Sequence, residues 1–178
     1  MHGCKPTNVP LPRGWKKEDA TSAEVVDSTV YQQLVGSLMY LVNTRPDICY
    51  VVNQLSQAMV KPTTLFWKAG KHVLHYLRGT SGYGLWYRQE DEGKLCGFMD
   101  ANWAGSPTDR KSTSGGIFSI RSTAVSWYNR KQRSMELSST EAEYMAASLA
   151  ACEAIWMRKI LVGLFGSHLE PTVIYCDN

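Results

Sequence analysis

Apolar residues in the first half of the chain recur every three or four positions, and this spacing predicts three helices. The helices cover residues 30–43, 46–60 and 63–78. Pro46 stands at the favoured first position of the second helix, and Gly79 ends the third. The pattern is typical of a small helical subdomain in which each helix turns one apolar face towards a shared core.

We expect three parts along the chain. Residues 1–29 are polar and contain three prolines, which predicts an extended or disordered lead-in. The helical subdomain covers residues 30–81, and a second domain covers residues 82–178. That domain opens with a predicted strand over residues 82–88. Four further apolar runs predict strands, at 95–99, 115–120, 124–128 and 172–176.

A long helix is predicted between the last two strands. Ser138 and Glu141 form a capping-box pattern, so the helix begins at about residue 139, and Gly163 is a natural stop. Because a stripe of small residues lets a helix pack closely on a sheet, we expect Glu143, which starts this stripe, to point inward. An inward carboxylate must be paired or metal-bound, unless it is simply a first-turn acid favoured by the helix dipole. The residues at helical spacing from Glu143 are Ala146, Ala147, Ala150 and Ala154.

Two of the predicted strands lead directly into acidic residues, Asp100 and Asp177. Functional groups collect at the carboxyl ends of strands in open α/β sheets, so both aspartates could converge with Glu143. Grouped carboxylates serve either acid–base catalysis or the binding of hard divalent cations. The second use suits this set better, and the nearby cysteines have no zinc-site spacing. Two magnesium ions about 4 Å apart on carboxylates are common in phosphodiester cleavage, so phosphoryl transfer is the implied chemistry.

Four motifs stand in a fixed order in the second domain: DANWAG at 100–105, DRKSTSG at 109–115, SSTEAEY at 138–144 and IYCDN at 174–178. Together they resemble the ribonuclease H region of copia-type LTR retrotransposon Pol polyproteins. The first half is similar to the segment that follows the polymerase palm of the reverse transcriptase in the same polyproteins. The motifs that carry this second resemblance are YQQLVGSLMY at 31–40, TRPDI at 44–48, YLRGT at 76–80 and YGLWY at 83–87. No Tyr-x-Asp-Asp motif occurs, so we do not expect the chain to polymerise DNA.

The resemblance implies a fold, a reaction and a set of site residues. The fold class is α/β, with a helical subdomain like the thumb or connection of a reverse transcriptase, followed by an incomplete ribonuclease H-like mixed β-sheet with a long packed helix. Asp100, Glu143 and Asp177 would be the catalytic residues and the ligands of two Mg²⁺ ions, with Mn²⁺ as a substitute and Asp100 bridging both ions. The implied reaction is hydrolysis of the RNA strand of an RNA/DNA hybrid. We expect Asp100→Asn to abolish it.

The family's fourth acidic residue and its histidine lie downstream of the position of Asp177. We therefore expect a domain truncated after its fourth strand, with weak or no activity in this chain, and the remainder of the Pol polyprotein as a partner in the parent element. A non-catalytic relic that binds nucleic acid or a protein is the alternative, and an interaction module that reuses the helical half is a third. Three positions depart from the family pattern: Asn102, Gly116 and Glu136.

Charge adds a local signal, since the net charge is only +3 and neither half is strongly basic. Cationic and hydroxyl-bearing residues fall on the predicted loops that flank the proposed site. Such residues can contact phosphates without reading bases, or they can simply be solvated hairpin loops. The candidate nucleic-acid-binding residues are Arg110, Lys111, Ser112, Ser114, Lys131, Gln132 and Ser139.

Cysteine content and the distribution of apolar residues bear on where the protein resides. Five cysteines, an odd number without framework spacing, predict free thiols. The first residues lack the apolar core of a signal peptide, and no apolar run is long enough to span a membrane. We expect an intracellular protein, cytoplasmic or nuclear, without a membrane partner.

Overall fold

The computed structural model describes residues 4–15, 24–88, 94–103, 110–120, 122–166 and 170–176. The chain divides into two compact units, Met1–Leu85 and Trp86–Asn178, whereas the sequence placed the boundary after residue 81. Each unit has its own hydrophobic core. The described residues form four α-helices and one four-stranded mixed sheet, which confirms the mixed α/β class.

The first unit is helical, as its apolar spacing predicts. The predicted second helix over residues 46–60 is shorter and splits in two. It ends early because two amides that follow Ser56 bond to carbonyls only three residues back, which tightens the end of the helix. The elements of this unit are α1 (Ser28–Val42), a single 3-10 turn (Pro46–Ile48), α2 (Cys49–Ser56) and α3 (Thr64–Gly79).

Tyr31 of α1 lies at the centre of the core of the first unit. Its ring is fully buried, and its hydroxyl donates to the carbonyl of Leu55 at 2.8 Å, which joins α1 to α2. Burial of these apolar side chains is the main force that holds the three helices together. Other buried members of the core are Val35, Leu38, Ile48, Val51, Phe66 and Val73.

A buried arginine fixes the turn after α1 to the end of α3. The Arg45 side chain is 10% exposed and pairs with Asp47 through two bonds, Nε to Oδ1 at 2.9 Å and Nη2 to Oδ2 at 2.7 Å. Its guanidinium also donates to the carbonyl and the hydroxyl of Thr80, at 3.1 and 2.7 Å. The hydroxyl of Tyr76 donates to Asp47 at 2.8 Å. Buried charges are stable when they are paired and hydrogen-bonded in this way.

Residues 4–15 contain no helix or strand and lie along α3. His72 and His75 of α3 each place a ring nitrogen within hydrogen-bond distance of a carbonyl of this segment, at 3.0 and 2.8 Å. Trp15 packs edge-on against Phe66, with ring centroids 5.6 Å apart. The described start of the predicted lead-in is therefore irregular and is attached to α3.

The second unit is a four-stranded sheet covered on one face by a long helix. The strand order is β3-β2-β1-β4, in which β2 pairs antiparallel with β1 and β3, and β4 pairs parallel with β1. Residues 82–88, predicted as a strand, are not part of the sheet, although the Tyr87 hydroxyl donates to the carbonyl of Ala124 at 3.1 Å. The elements are β1 (Leu95–Asn102), β2 (Thr113–Ile120), β3 (Thr123–Lys131), α4 (Ser139–Phe165) and β4 (Val173–Tyr175).

Helix α4 begins at the predicted capping box. The Ser138 side chain accepts from the amide of Glu141 at 3.2 Å, and the Glu141 carboxylate accepts from the amide of Leu137 at 2.7 Å. The helix passes the predicted stop at Gly163 and ends before Gly166, whose left-handed φ of 65° closes it. The buried small residues are Ala142, Ala146, Ala150 and Ala154, so the stripe begins one residue before Glu143 and Ala147 is exposed.

Two glycines allow aromatic rings of the neighbouring strand to lie flat against the sheet. A Cβ on Gly97 of β1 would lie 2.6 Å from the ring of its cross-strand partner Phe118, which is fully buried. A Cβ on Gly116 of β2 would lie 2.6 Å from Cε1 of its partner Tyr128. The family that the sequence resembles commonly has an aromatic residue at the position of Gly116, and in this chain the Tyr128 ring of β3 lies over that position.

Candidate active site

A cavity of about 220 Å³ opens where the ends of β1 and β4 meet the first turns of α4. The parallel pairing of β1 with β4 places Tyr175, the last residue of β4, beside Phe98 of β1, and α4 connects β3 to β4 along the chain. Ligand sites in open α/β sheets favour such strand ends. The cavity is lined by Met99 and Ala101 of β1, Thr140, Glu143, Tyr144 and Ala147 of α4, and Cys176.

Two of the three predicted carboxylates relate directly to this cavity. Glu143 is half-buried and lines it. Asp177 lies outside the described residues, but Cys176, the residue before it, is part of the lining. The structure therefore brings Glu143 and Cys176 to the same cavity.

The third predicted carboxylate, Asp100, is exposed on β1. Met99 and Ala101, its neighbours on either side, both line the cavity. Since successive side chains of a strand point to opposite faces, the Asp100 side chain leaves β1 on the face opposite to those of Met99 and Ala101. Asp100 is not among the residues that line this cavity.

This placement limits what the cavity can hold. Magnesium is bound through near-octahedral oxygen coordination, usually with carboxylates among the ligands. In the described part of the chain no three histidine, cysteine or acidic side chains come together as a metal site. Glu143 is the one predicted carboxylate among the residues that line the cavity, and Asp177 lies outside the described residues, so the two-magnesium site stays a prediction.

Several of the predicted nucleic-acid-binding residues face the interior. Ser112 and Ser114 are fully buried and Gln132 is 4% exposed. The Gln132 amide nitrogen donates to the Ser114 hydroxyl at 2.7 Å, so neither side chain is placed to reach a phosphate. Lys111 donates through Nζ to the carbonyl of Arg133 at 2.5 Å.

The remaining predicted contacts are more accessible. Arg110 and Ser139 are exposed, and Lys131 is half-buried at the end of β3. Arg110 precedes β2, whose first residue, Thr113, pairs with Asn102 at the carboxyl end of β1. These cationic and hydroxyl groups therefore lie near the end of the sheet at which the cavity opens.

Glu136 is a buried acidic residue whose role the sequence did not indicate. In the sequence it stands out only as a departure from the family pattern. It is 5% exposed, and its carboxylate accepts from the amide of Ser112 at 3.3 Å and from the hydroxyl of Ser134 at 3.1 Å. Burial opposes its ionisation, but the hydrogen bonds from Ser112 and Ser134 outweigh burial and lower the pKa of the Glu136 carboxyl below its usual value. The carboxylate thus joins the segment before β2 to the segment before α4.

Alignment over the whole chain decides the family. The chain is 40% identical to the retrovirus-related Pol polyprotein from transposon RE2 of Arabidopsis thaliana over 178 residues. It is 38% identical to the Pol polyprotein from transposon TNT 1-94 of Nicotiana tabacum over 185 aligned residues. The chain belongs to the copia-type retrotransposon Pol polyproteins. All of this Pol segment aligns with both relatives, but it spans only 12% of the first and 14% of the second.

A shorter relative matches a part of the same Pol segment. Secreted RxLR effector protein 161 of Plasmopara viticola is 48% identical over 128 residues, which cover 71% of this chain and 90% of that protein. No protein-family model matches the chain. No solved structure matches it either. Among the described residues, no helix is both long enough and apolar enough to pass through a bilayer.

Proposed function

We propose that this Pol segment supplies ribonuclease H activity to a copia-type retrotransposon and hydrolyses the RNA strand of an RNA/DNA hybrid. The observation that carries the proposal is the position of Glu143, half-buried in a cavity that is also lined by the second half of β1 and by Cys176, the residue that follows β4. An acidic residue held there by a capped helix is suited to bind and orient a group at the scissile phosphodiester. The family membership supports a role in copying a retrotransposon.

The surroundings of the cavity suit a nucleic-acid backbone. Arg110 and Ser139 are exposed at the same edge of the sheet and can contact phosphates of either strand. Contacts to the 2′-hydroxyl and to the shape of the hybrid would distinguish RNA from DNA. Thr140 also lines the cavity, and a threonine hydroxyl can donate to a bound oxygen.

The family resemblance also assigns Mg²⁺, or Mn²⁺ as a substitute, to Asp100, Glu143 and Asp177. Of these three residues Glu143 lines the cavity and Asp177 lies outside the described residues, so the set of ligands stays a prediction. The exposed Arg110 and Ser139 also suit a second candidate function, in which the segment binds nucleic acid or the rest of the polyprotein without cleaving.

Cleavage of matched duplexes separates these two functions. The purified chain is incubated with end-labelled RNA/DNA hybrid, RNA duplex and DNA duplex of one sequence, in Mg²⁺, in Mn²⁺ and in chelator. The proposal expects cleavage of the RNA strand of the hybrid alone, dependent on the divalent cation. Binding of the hybrid without cleavage in either cation would support the second function, and equal cleavage of all three duplexes would exclude ribonuclease H specificity.

A further inference from the structure

We infer that Gln132 is a positioning residue that holds the first turns of α4, and with them Glu143, at a fixed place on the sheet. This inference rests on the proposed function, in which Glu143 acts in the cavity. Gln132 was predicted from sequence to bind phosphates. Its burial, 4% exposed, and its hydrogen bonds point to a different role.

The amide nitrogen of Gln132 bridges the sheet and the helix. Nε2 donates to the hydroxyl of Ser114 in β2 at 2.7 Å and to the main-chain carbonyl of Ala142 in α4 at 2.9 Å. A carbonyl can only accept, so the bond to Ala142 fixes which end of the amide faces the helix. Ala142 directly precedes Glu143, and the bond therefore acts on the peptide that carries the cavity carboxylate.

The backbone around Gln132 is itself fastened to the sheet. The amide of Gln132 donates to the carbonyl of Ser112 at 2.8 Å, just beyond the paired residues of β2 and β3. Glu136 accepts from the amide of Ser112 a few residues later. The side chain of Gln132 thus extends from an anchored segment, so a movement of α4 along its axis would have to break the bond to Ala142.

Local capping does not replace this bond. The side chains of Ser138 and Glu141 accept hydrogen bonds from main-chain amides at the start of α4. Both bonds lie within residues 137–141, so they do not fix the distance between the helix and the sheet. The Gln132 side-chain oxygen is buried and has no hydrogen-bond partner among the described residues. A buried acceptor without a partner destabilises the folded state. An apolar residue would avoid this cost, so the presence of glutamine here indicates that the two hydrogen bonds donated by its amide nitrogen are needed.

The variant Gln132→Met keeps the volume of the side chain and removes both donated bonds. Ser126→Ala is the matched control, because Ser126 of β3 donates to Glu153 of α4 at 2.7 Å, a single bond between sheet and helix ten residues beyond Glu143. Hydrogen exchange by mass spectrometry on peptides that cover residues 139–147 reports the first turns of α4. Single-turnover and steady-state cleavage of the hybrid report the position of Glu143.

In Gln132→Met we expect exchange in residues 139–147 to be about tenfold faster, and exchange in β1 and β2 to be unchanged. We expect kcat for hybrid cleavage to fall about tenfold or more with KM within twofold, because small displacements of a catalytic group affect the reaction more than binding. Ser126→Ala should leave exchange in residues 139–147 and kcat near their original values.

Unchanged exchange in residues 139–147 of Gln132→Met would overturn the inference, whatever the activity. Equal effects in Ser126→Ala would also overturn it, because they would show general loosening of α4. If the original chain cleaves nothing, the proposed function fails, and the exchange comparison still tests whether Gln132 holds the helix. Should Gln132→Met not fold, Ser114→Ala removes one of the two bonds and should speed exchange there by about threefold; no change would refute the inference.

Discussion

Replacement of Arg45 tests how the first unit is held together. Arg45→Met removes the guanidinium that donates twice to Asp47 and twice to Thr80. It leaves the Asp47 carboxylate with the hydroxyl of Tyr76 as its remaining side-chain donor in the network. Breaking a buried ion pair costs about 3–5 kcal/mol when both partners are fully buried. Because the Asp47 side chain is 32% exposed and partly solvated, we expect a loss of about 2–3 kcal/mol.

The more conservative Arg45→Lys should cost less, about 1–2 kcal/mol. Lysine keeps the charge, but its single ammonium group cannot reproduce the two parallel bonds to Asp47 together with those to Thr80. Urea titration followed by hydrogen exchange of peptides from residues 24–80 measures the free energy of unfolding of the first unit alone. Arg13→Lys is the control, since Arg13 is exposed and its replacement should change stability by less than about 0.5 kcal/mol.

Acid should weaken the same network. Burial raises the pKa of the Asp47 carboxyl, but hydrogen bonds from Arg45 and Tyr76 outweigh it and leave that pKa below its usual value. A lowered pKa in the folded state contributes stability above the unfolded pKa, and this contribution is lost as pH falls through the folded value. The loss on Arg45→Met should therefore shrink below about pH 4. A variant as stable as Arg13→Lys at pH 7, or a loss that grows in acid, would refute this account of the network.

Three further predictions concern the second unit. Gly116→Phe should destabilise it by more than about 2 kcal/mol because its Cβ would meet the Tyr128 ring, and the added Tyr128→Ala should restore most of the loss in urea melts. Glu136→Gln should flatten the fall in stability below about pH 5, since the lowered pKa of Glu136 stabilises the folded unit only above that range; an unchanged pH profile would contradict it. Arg110→Ala should weaken hybrid binding, as measured by fluorescence anisotropy. The slope of log affinity against log salt concentration should become shallower by about one, which corresponds to the loss of one phosphate contact. An unchanged slope would show that Arg110 does not contact the hybrid.

Local sequence signals predicted the elements that depend on local interactions. The three helices of the first unit follow from the spacing of residues such as Phe66 and Val73, and the start of α4 follows from Ser138 and Glu141. The end of α2 was misplaced because its last turn tightens through main-chain bonds that no residue type marks. The end of α4 was misplaced because a glycine stops a helix only where it adopts a left-handed conformation, which Gly166 does.

The faces of β1 could not be assigned from sequence. Its pattern places Leu95, Gly97 and Met99 on one face and Cys96 and Phe98 on the other, so both faces are apolar. Alternation alone cannot choose which face receives α4. The structure buries the Met99 face under the helix and leaves Phe98 47% exposed, which puts Asp100 on the same face of β1 as Phe98.

The burial of Ser112, Ser114 and Gln132 was equally hidden. Hydroxyl and amide residues beside lysine and arginine are usually solvated, and these became internal only because the segments before β2 and before α4 lie against each other. The expectation that Asp100→Asn abolishes cleavage stays a prediction of the family resemblance. The cleavage rate of that variant tests it.

The most direct test of the account is the single-turnover rate of hybrid cleavage by Glu143→Gln beside that of Glu141→Gln. Both changes replace a carboxylate by an amide within the first two turns of α4, but of the two residues only Glu143 lines the cavity, and glutamine can keep the capping role of Glu141. The account predicts that Glu143→Gln lowers the rate by about 100-fold or more, while Glu141→Gln stays within about threefold of the original chain. Cleavage by Glu143→Gln at the original rate would contradict the assignment of this cavity as the active site.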